Sequence, residues 1–193
     1  MGGGGIRRPI LALATAFALA ACGSFESDKP LVSTAQADRP LTVPATIDVF
    51  GPDEHGSWVR RAQGAKLTLS DAKSPPGSGW YVLQTPPSLA DTDKPDEPVE
   101  FLLRSIAPDA WVAEVAPASY GLLVRRPDSW LVYGIGDASN CKSLSEAELS
   151  RYHVAVSGTE HNTCKLDSLA DLEALFRHIQ AKAPPPDLLL RLH

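Results

Sequence analysis

The chain has 193 residues with 18 basic and 23 acidic side chains, a formal net charge of −5, and 44% hydrophobic residues including four tryptophans. That apolar and aromatic content excludes wholesale disorder. No basic stripe, lysine run or aromatic–basic alternation interrupts the acidic balance, so nucleic acid is excluded as a natural partner.

The N-terminus has the parts of an export signal. Arg7 and Arg8 form a positive start, an apolar run extends from Ile10 to Ala21 broken only by Thr15, and the run closes on small residues. Twelve helical residues span about 18 Å, too little for a hydrocarbon core of about 30 Å. The run therefore reads as a leader and not as a permanent membrane span.

It ends in Leu19-Ala20-Ala21-Cys22, with Gly23 next. This segment resembles the lipobox of bacterial lipoproteins, a resemblance confined to the leader and the first residues after it. What the resemblance implies is cleavage before Cys22, a diacylglycerol on its thiol and an acylated amine. Each buried methylene contributes about 0.8 kcal/mol and one chain holds only marginally, so two or three chains make a lasting anchor. Gly23 in place of Asp implies sorting to the outer membrane, facing the periplasm, with the outer leaflet of the inner membrane or the cell surface as alternatives. Ala18-Leu19-Ala20 also fits ordinary secretory cleavage. N-myristoylation is excluded because position six is Ile6 and not Ser or Thr.

Removal of residues 1–21 leaves 172 of the 193, enough for one domain with its own core. Arg7 and Arg8 leave with the leader, so 16 basic residues face 23 acidic ones, a net charge near −7. The three cysteines also fall into place. An odd count in an exported protein leaves one thiol to explain. Lipidation of Cys22 uses it and leaves Cys141 and Cys164 as a pair, which an oxidising periplasm would join. Their loop of 24 residues corresponds to roughly 3 to 3.5 kcal/mol in the chain-entropy account.

Residues 23–40 are polar, carry two prolines and lack a sustained period. They read, with the lipidated Cys22, as a flexible tether. As a random coil, eighteen residues would span about 23 Å. The globular domain then covers 41–193.

Short strands separated by turn residues come next. They are expected at 41–50, 57–61, 65–69, 80–84, 99–105, 111–115, 120–126 and 130–136, with turn signals at Gly51-Pro52-Asp53, Pro75-Pro76-Gly77, Pro108-Asp109 and Pro127-Asp128. The runs flanking Pro127-Asp128-Ser129 make the clearest hairpin. Adjacent apolar residues such as Leu102-Leu103 and Leu122-Leu123-Val124 point to strands covered on both faces. Residues 85–98, with four prolines and four acidic residues, read as a surface loop, and the isolated Asp91-x-Asp93 lacks the ligand spacing of a calcium loop.

The last third turns helical. Ser143 with Glu146 and Ser145 with Glu148 both have capping-box spacing ahead of a short helix near 145–151. A strand is expected at 152–156. From Ser168, the residues Leu169, Leu172, Phe176, Ile179 and Ala183 recur at helical spacing until Pro184 stops them. The expected fold is α+β: a mostly antiparallel sheet or partly open barrel with a C-terminal amphipathic helix packed on it.

Chemistry-bearing patterns are sparse. A nucleophile elbow is absent, and no catalytic residue is assigned. Cys141, His153, His161 and Cys164 could in principle hold tetrahedral zinc, but they lack a C-x-x-C knuckle and their compartment favours the disulfide. No metal or cofactor is expected. Gly134-Ile-Gly136 lacks the third glycine and the lysine of a phosphate loop, and Asp53-Glu54 reads as a solvated turn. Trp58, Trp80, Trp111 and Trp130, one on each of four strands, read as core and rim packing rather than an exposed platform. The leading functional expectation is a non-catalytic envelope lipoprotein that binds a protein partner or serves an envelope complex. The alternatives are a lipid-anchored hydrolase of cell-wall or exported polymers and a carrier of a small apolar ligand.

Overall fold

The computed structural model describes residues 25–69, 80–84, 98–115, 118–135, 143–157 and 163–193. Eleven strands and two α-helices occur in the described residues, besides one turn of 3-10 helix (Thr34–Gln36): β1 (Phe25–Glu26), β2 (Ala45–Pro52), β3 (Trp58–Leu69), β4 (Tyr81–Gln84), β5 (Val99–Ala107), β6 (Ala110–Val115), β7 (Ser119–Arg126), β8 (Ser129–Tyr133), α1 (Glu146–Arg151), β9 (Ala155–Ser157), β10 (Thr163–Lys165), α2 (Leu169–Lys182) and β11 (Leu188–Leu192).

Eight of the strands close a barrel. Each strand from β2 to β8 pairs antiparallel with the next in chain order, and β11 completes the ring by pairing with both β8 and β2. Leu190 faces Val49 on one side and Trp130 on the other. The fold class expected from the sequence is thus present, with the barrel closed and not partly open. Closure removes the exposed edges an open sheet would present. The closing strand is the short apolar run Leu188-Leu189-Leu190 after the prolines, which carries no turn signal and is not predicted from the sequence.

The barrel wall alternates. Ile47 and Val49, Ala65 and Leu67, Tyr81 and Leu83, Phe101 and Leu103, Trp111, Leu123, Trp130 and Val132, and Leu188 share one buried cluster inside. The intervening Leu102, Val112, Tyr120, Leu122, Val124 and Tyr133 point outward into a second cluster. That is the period of two expected of strands, and the apolar pairs on β5 and β7 are covered on both faces as their sequence indicates. The runs 57–61 and 65–69, expected as separate strands, form the single strand β3, with irregular pairing to β2 between Ile47 and Phe50. Beside that irregularity the buried Asp48 accepts a hydrogen bond from Gly64 N at 3.0 Å, and Gly64 has a φ of +73°, a conformation that favours glycine.

The outer cluster is roofed by α2. Ser168 caps its N-terminus through Asp171 N, and Ala183 ends it in the left-handed conformation. Its Leu172, Leu175, Phe176 and Ile179 are buried against the barrel, while Arg104 Nε donates to Glu173 at 2.7 Å and Arg177 Nε donates to the Ile106 carbonyl at 3.1 Å. Of the two candidate capping boxes, Ser145 with Glu148 is the one that starts α1. The strand expected at 152–156 begins later, as β9 (Ala155–Ser157), and extends the sheet with β10.

The largest departure from the sequence pattern concerns residues 25–40. Composition predicts a flexible tether there, and the residues are instead a packed part of the domain. Phe25 is fully buried, and β1 is hydrogen-bonded between β7 and β10. Val32 is also buried. The packed residues of the domain therefore include 25–40 and do not start at Leu41. Scattered apolar residues in a polar segment carry no periodic signal, which is why composition alone suggests a coil.

Candidate functional site

The segment 25–41 forms a strap across four consecutive strands of the barrel. It is pinned first at β7 and β6, where Tyr120 and Glu114 are directly opposed across the two strands. Glu114 is 1% exposed, and one of its carboxylate oxygens accepts from Leu31 N at 3.0 Å and Val32 N at 2.9 Å. The Tyr120 hydroxyl accepts from Leu31 N at 2.9 Å and lies 3.1 Å from Ser27 Oγ. On β5, Asp38 N donates to the Leu103 carbonyl at 2.7 Å, and Ser105 N donates to the Asp38 carboxylate at 2.6 Å. On β4, the Tyr81 hydroxyl is 3.2 Å from both the amide nitrogen and the carbonyl oxygen of Leu41. Leu41 then enters the barrel interior.

The electrostatics of the clamp derive from its burial. Desolvation raises the Glu114 carboxyl above its usual range, against the opposing effect of hydrogen bonds from Val32 N, the Tyr120 hydroxyl and Leu31 N. Burial likewise pushes the Tyr120 phenol up to about 12. A buried acid that accepts two backbone amides is a structural fastener for a polar segment.

At the start of the strap, Phe25 lies edge-on to Phe176 of α2, with ring centroids 5.3 Å apart. Its ring also covers Gly134, where an added Cβ would come within 3.1 Å of it. The first glycine of the Gly134-Ile-Gly136 pattern thus makes room for the strap and holds a φ of +86°. Position 136 lies outside the described residues.

The candidate cysteines are placed unequally. Cys22 and Cys141 lie outside the described residues. Cys164 is fully buried on β10, pairs in register with Phe25 and is disulfide-bonded. Of the zinc alternative, His161 is also outside the described residues. His153 is exposed and sits 3.2 Å from Asp171, at the start of α2. No group of three or more His, Cys, Asp or Glu among the described residues is arranged to hold a metal ion.

The remaining polar clusters join elements to one another. Glu148 accepts from His178 Nε2 at 2.7 Å and Lys182 Nζ at 2.8 Å, and from Ser145 N and Oγ at 2.7 and 2.8 Å. The Lys182 hydrogen bond, with smaller contributions from those of Ser145 and His178, holds its carboxyl well below the usual range. Serine, glutamate and histidine do meet here, but the hydroxyl donates to the carboxylate and not to the imidazole. The arrangement clips α1 to α2 and does not activate a nucleophile. Ser157 lies in β9, and Ser139 and residues 85–97 lie outside the described residues.

The barrel interior holds a wholly apolar pocket of about 40 Å³, lined by residues that include Ile47, Leu83, Phe101, Leu123, Trp130 and Leu192. Sites for drug-sized ligands are about 300–1,000 Å³, so this one is smaller by nearly an order of magnitude. Trp111 and Trp130, whose rings lie 5.2 Å apart, help fill the space. Of the four tryptophans only Trp58, beside the β2–β3 turn, is more than one-third exposed, at 42%; Trp80 is half-buried. Asp53 organises that turn by accepting from His55 N and Ser57 N.

Among the described residues no helix is long and apolar enough to cross a membrane. Compared with known proteins, the chain matches no family model, no curated protein and no solved structure.

Proposed function

We propose that the chain is a lipid-anchored envelope lipoprotein whose β-barrel domain is a non-catalytic binding or accessory module on the periplasmic side of the outer membrane. The observation that carries this reading is the order of the N-terminus. A charged start, an apolar run and Leu19-Ala20-Ala21-Cys22 stand directly ahead of Phe25, which is buried in the folded domain. The Glu114 and Glu148 clusters support the non-catalytic part, since each fastens one element to another. Pairing of Cys164 with Cys141 belongs to the same proposal, because acylation of Cys22 would leave Cys141 as the remaining thiol.

The test is the mature N-terminus. Mass spectrometry of the membrane-fraction protein should find a polypeptide that begins at an acylated Cys22, and Cys22→Ala should block that processing and abolish the lipid anchor. A protein cleaved elsewhere, or one that stays membrane-bound and normally processed as Cys22→Ala, rejects the anchor. For the module itself, crosslinking in intact membranes should capture one defined envelope protein, and Trp58→Ala tests whether the exposed indole contributes to that contact.

A carrier of a small apolar ligand is the second reading, supported by the purely apolar lining of the barrel pocket. Its volume makes it the weaker one. It calls for a ligand that separates strands on entry, and native mass spectrometry of the purified protein would find that ligand bound.

A further inference from the structure

We infer that the folded domain rests directly on the lipid surface, at the edge where Phe25 enters the sheet, and does not stand off on an extended arm. This inference builds on the lipid-anchored reading proposed above.

Cys22 and Phe25 are three peptide steps apart, so their Cα atoms are separated by at most about 11 Å. An acylated Cys22 lies at the level of the headgroups, and Phe25 must then lie within that distance of them. Phe25 itself has no slack. It is fully buried, hydrogen-bonded to β7 and β10 on its two sides, and wedged between Phe176 and Gly134. The rest of the strap supplies no reach either, because Glu114, Tyr120, Leu103, Ser105 and Tyr81 fasten it to four strands in turn. The reach between lipid and Phe25 is therefore at most that of three peptide steps, about 11 Å, and not that of eighteen residues. A coil of eighteen would have allowed about 23 Å.

The side turned to the lipid is the one at which the chain reaches Phe25, where β1 lies between β7 and β10. Its apposition depends on the anchor. The mature chain is acidic, with 16 basic residues against 23, and an anionic bilayer would not attract it unaided. Such a geometry orients the barrel: one side is committed to the membrane and the opposite side is presented to a periplasmic partner.

The experiment places the processed full-length protein on a supported bilayer of phosphatidylethanolamine with a minor share of phosphatidylglycerol and measures the water gap below the protein layer by neutron reflectivity. Mass spectrometry of the same sample first reports the lipid on Cys22. The wild-type protein is expected to leave a gap of no more than about 10 Å. A variant with sixteen Gly/Ser residues inserted between Ser24 and Phe25 should open it to about 20 Å or more. Amide exchange in the bilayer-bound wild type should show Leu31, Val32 and Asp38 protected. A lipidated wild type with the gap of the linker variant, or with unprotected strap amides, overturns the inference and leaves the anchor standing. Absence of lipid on Cys22 overturns the anchor reading and this inference with it.

Discussion

The inside and the outside of the barrel wall are held by different physics. The interior cluster is supplied by alternate residues of strands joined in an antiparallel series, with Leu41 and Leu188 as additions from the strap and β11. Its chemistry is apolar apart from the Tyr81 hydroxyl, which holds Leu41. The outer cluster gathers Phe25 and Val32 from the strap, Tyr152, Val154, Cys164 and Leu166 from the region between the helices, and four residues of α2. Under the strap lies Glu114, a carboxyl buried where a passing segment needs its amides satisfied. Strand alternation suffices to build the first. The second depends on individual polar contacts to choose which distant segment lies where.

Truncation of one large residue in each cluster gives the largest expected effects. Trp130→Ala inside and Phe176→Ala outside should each cost about 3–5 kcal/mol in denaturant unfolding. Their secondary consequences should differ. Trp130 lines the existing interior pocket, so its loss should leave a dry apolar cavity that takes up xenon or benzene. Phe176 supports Phe25, so its loss should speed amide exchange in the strap before it affects β2 or β3. Equal exchange in both regions for both variants would show that the wall does not divide the molecule in this way.

The proposed Cys141–Cys164 disulfide comes next. Cys164→Ser with Cys141→Ser is expected to lower stability by roughly 3 kcal/mol, measured as the difference in unfolding free energy from the oxidised parent. Because β10 is the direct neighbour of β1, the double variant should also loosen the strap while leaving exchange in β4 and β5 close to the parent's. A parent whose stability is unchanged by reduction would show that Cys141 and Cys164 are not joined.

The same division explains what is legible in the sequence. Alternation on β5 to β8, the turn at Pro127-Asp128 and the periodic face of α2 are local signals, and each points to the right element. The closing strand β11 and the strap are missed for a common reason. Leu188–Leu192 is too short to display a period, and 25–40 holds its apolar residues too far apart for one. Each is specified by the surface it meets: β11 by the gap between β2 and β8, and the strap by Glu114 and Tyr120. Glu114 could have been singled out as an acidic residue on a strand otherwise apolar from Ala110 to Val115, but nothing local names Leu31 and Val32 as its partners. The lipobox resemblance at Cys22 needs no fold to be seen, because its pattern is linear.

Glu114 lets the clamp be tested by charge and by shape separately. Glu114→Ala orphans the Val32 amide, while Leu31 N keeps the Tyr120 hydroxyl, and should cost about 2 kcal/mol, given 1–3 kcal/mol for a buried unsatisfied group. Glu114→Gln keeps an acceptor oxygen and should be close to neutral. Burial raises the folded carboxyl above its ordinary value of 4.5, so the unfolded chain releases this proton first. The contribution is complete below about pH 4.5 and is lost as pH rises through the folded value. Urea unfolding across that window should show the decline in the parent and not in Glu114→Gln.

Glu148 should give the smallest effect and the opposite slope. Its carboxyl is held below 4.5 by Lys182 first, then by Ser145 and His178. Here the unfolded chain takes up the proton first as pH falls, so the stability is present above about pH 4.5 and is lost below it. Its side chain is 19% exposed and Lys182 is more exposed still, so solvent screening limits the contribution to about 1 kcal/mol. Glu148→Gln should lose that amount at pH 7 and progressively less as pH falls from 4.5 toward the folded value. Glu148 joins two helices at the surface while Glu114 fastens the strap from beneath, so the two acids titrate in opposite directions within one outer layer. A double variant, Glu114→Gln with Glu148→Gln, should therefore flatten the acid-side dependence from both ends, with additive effects because the two clusters share no partner. Strong non-additivity would mean that the strap and the helix pair open together as one unit.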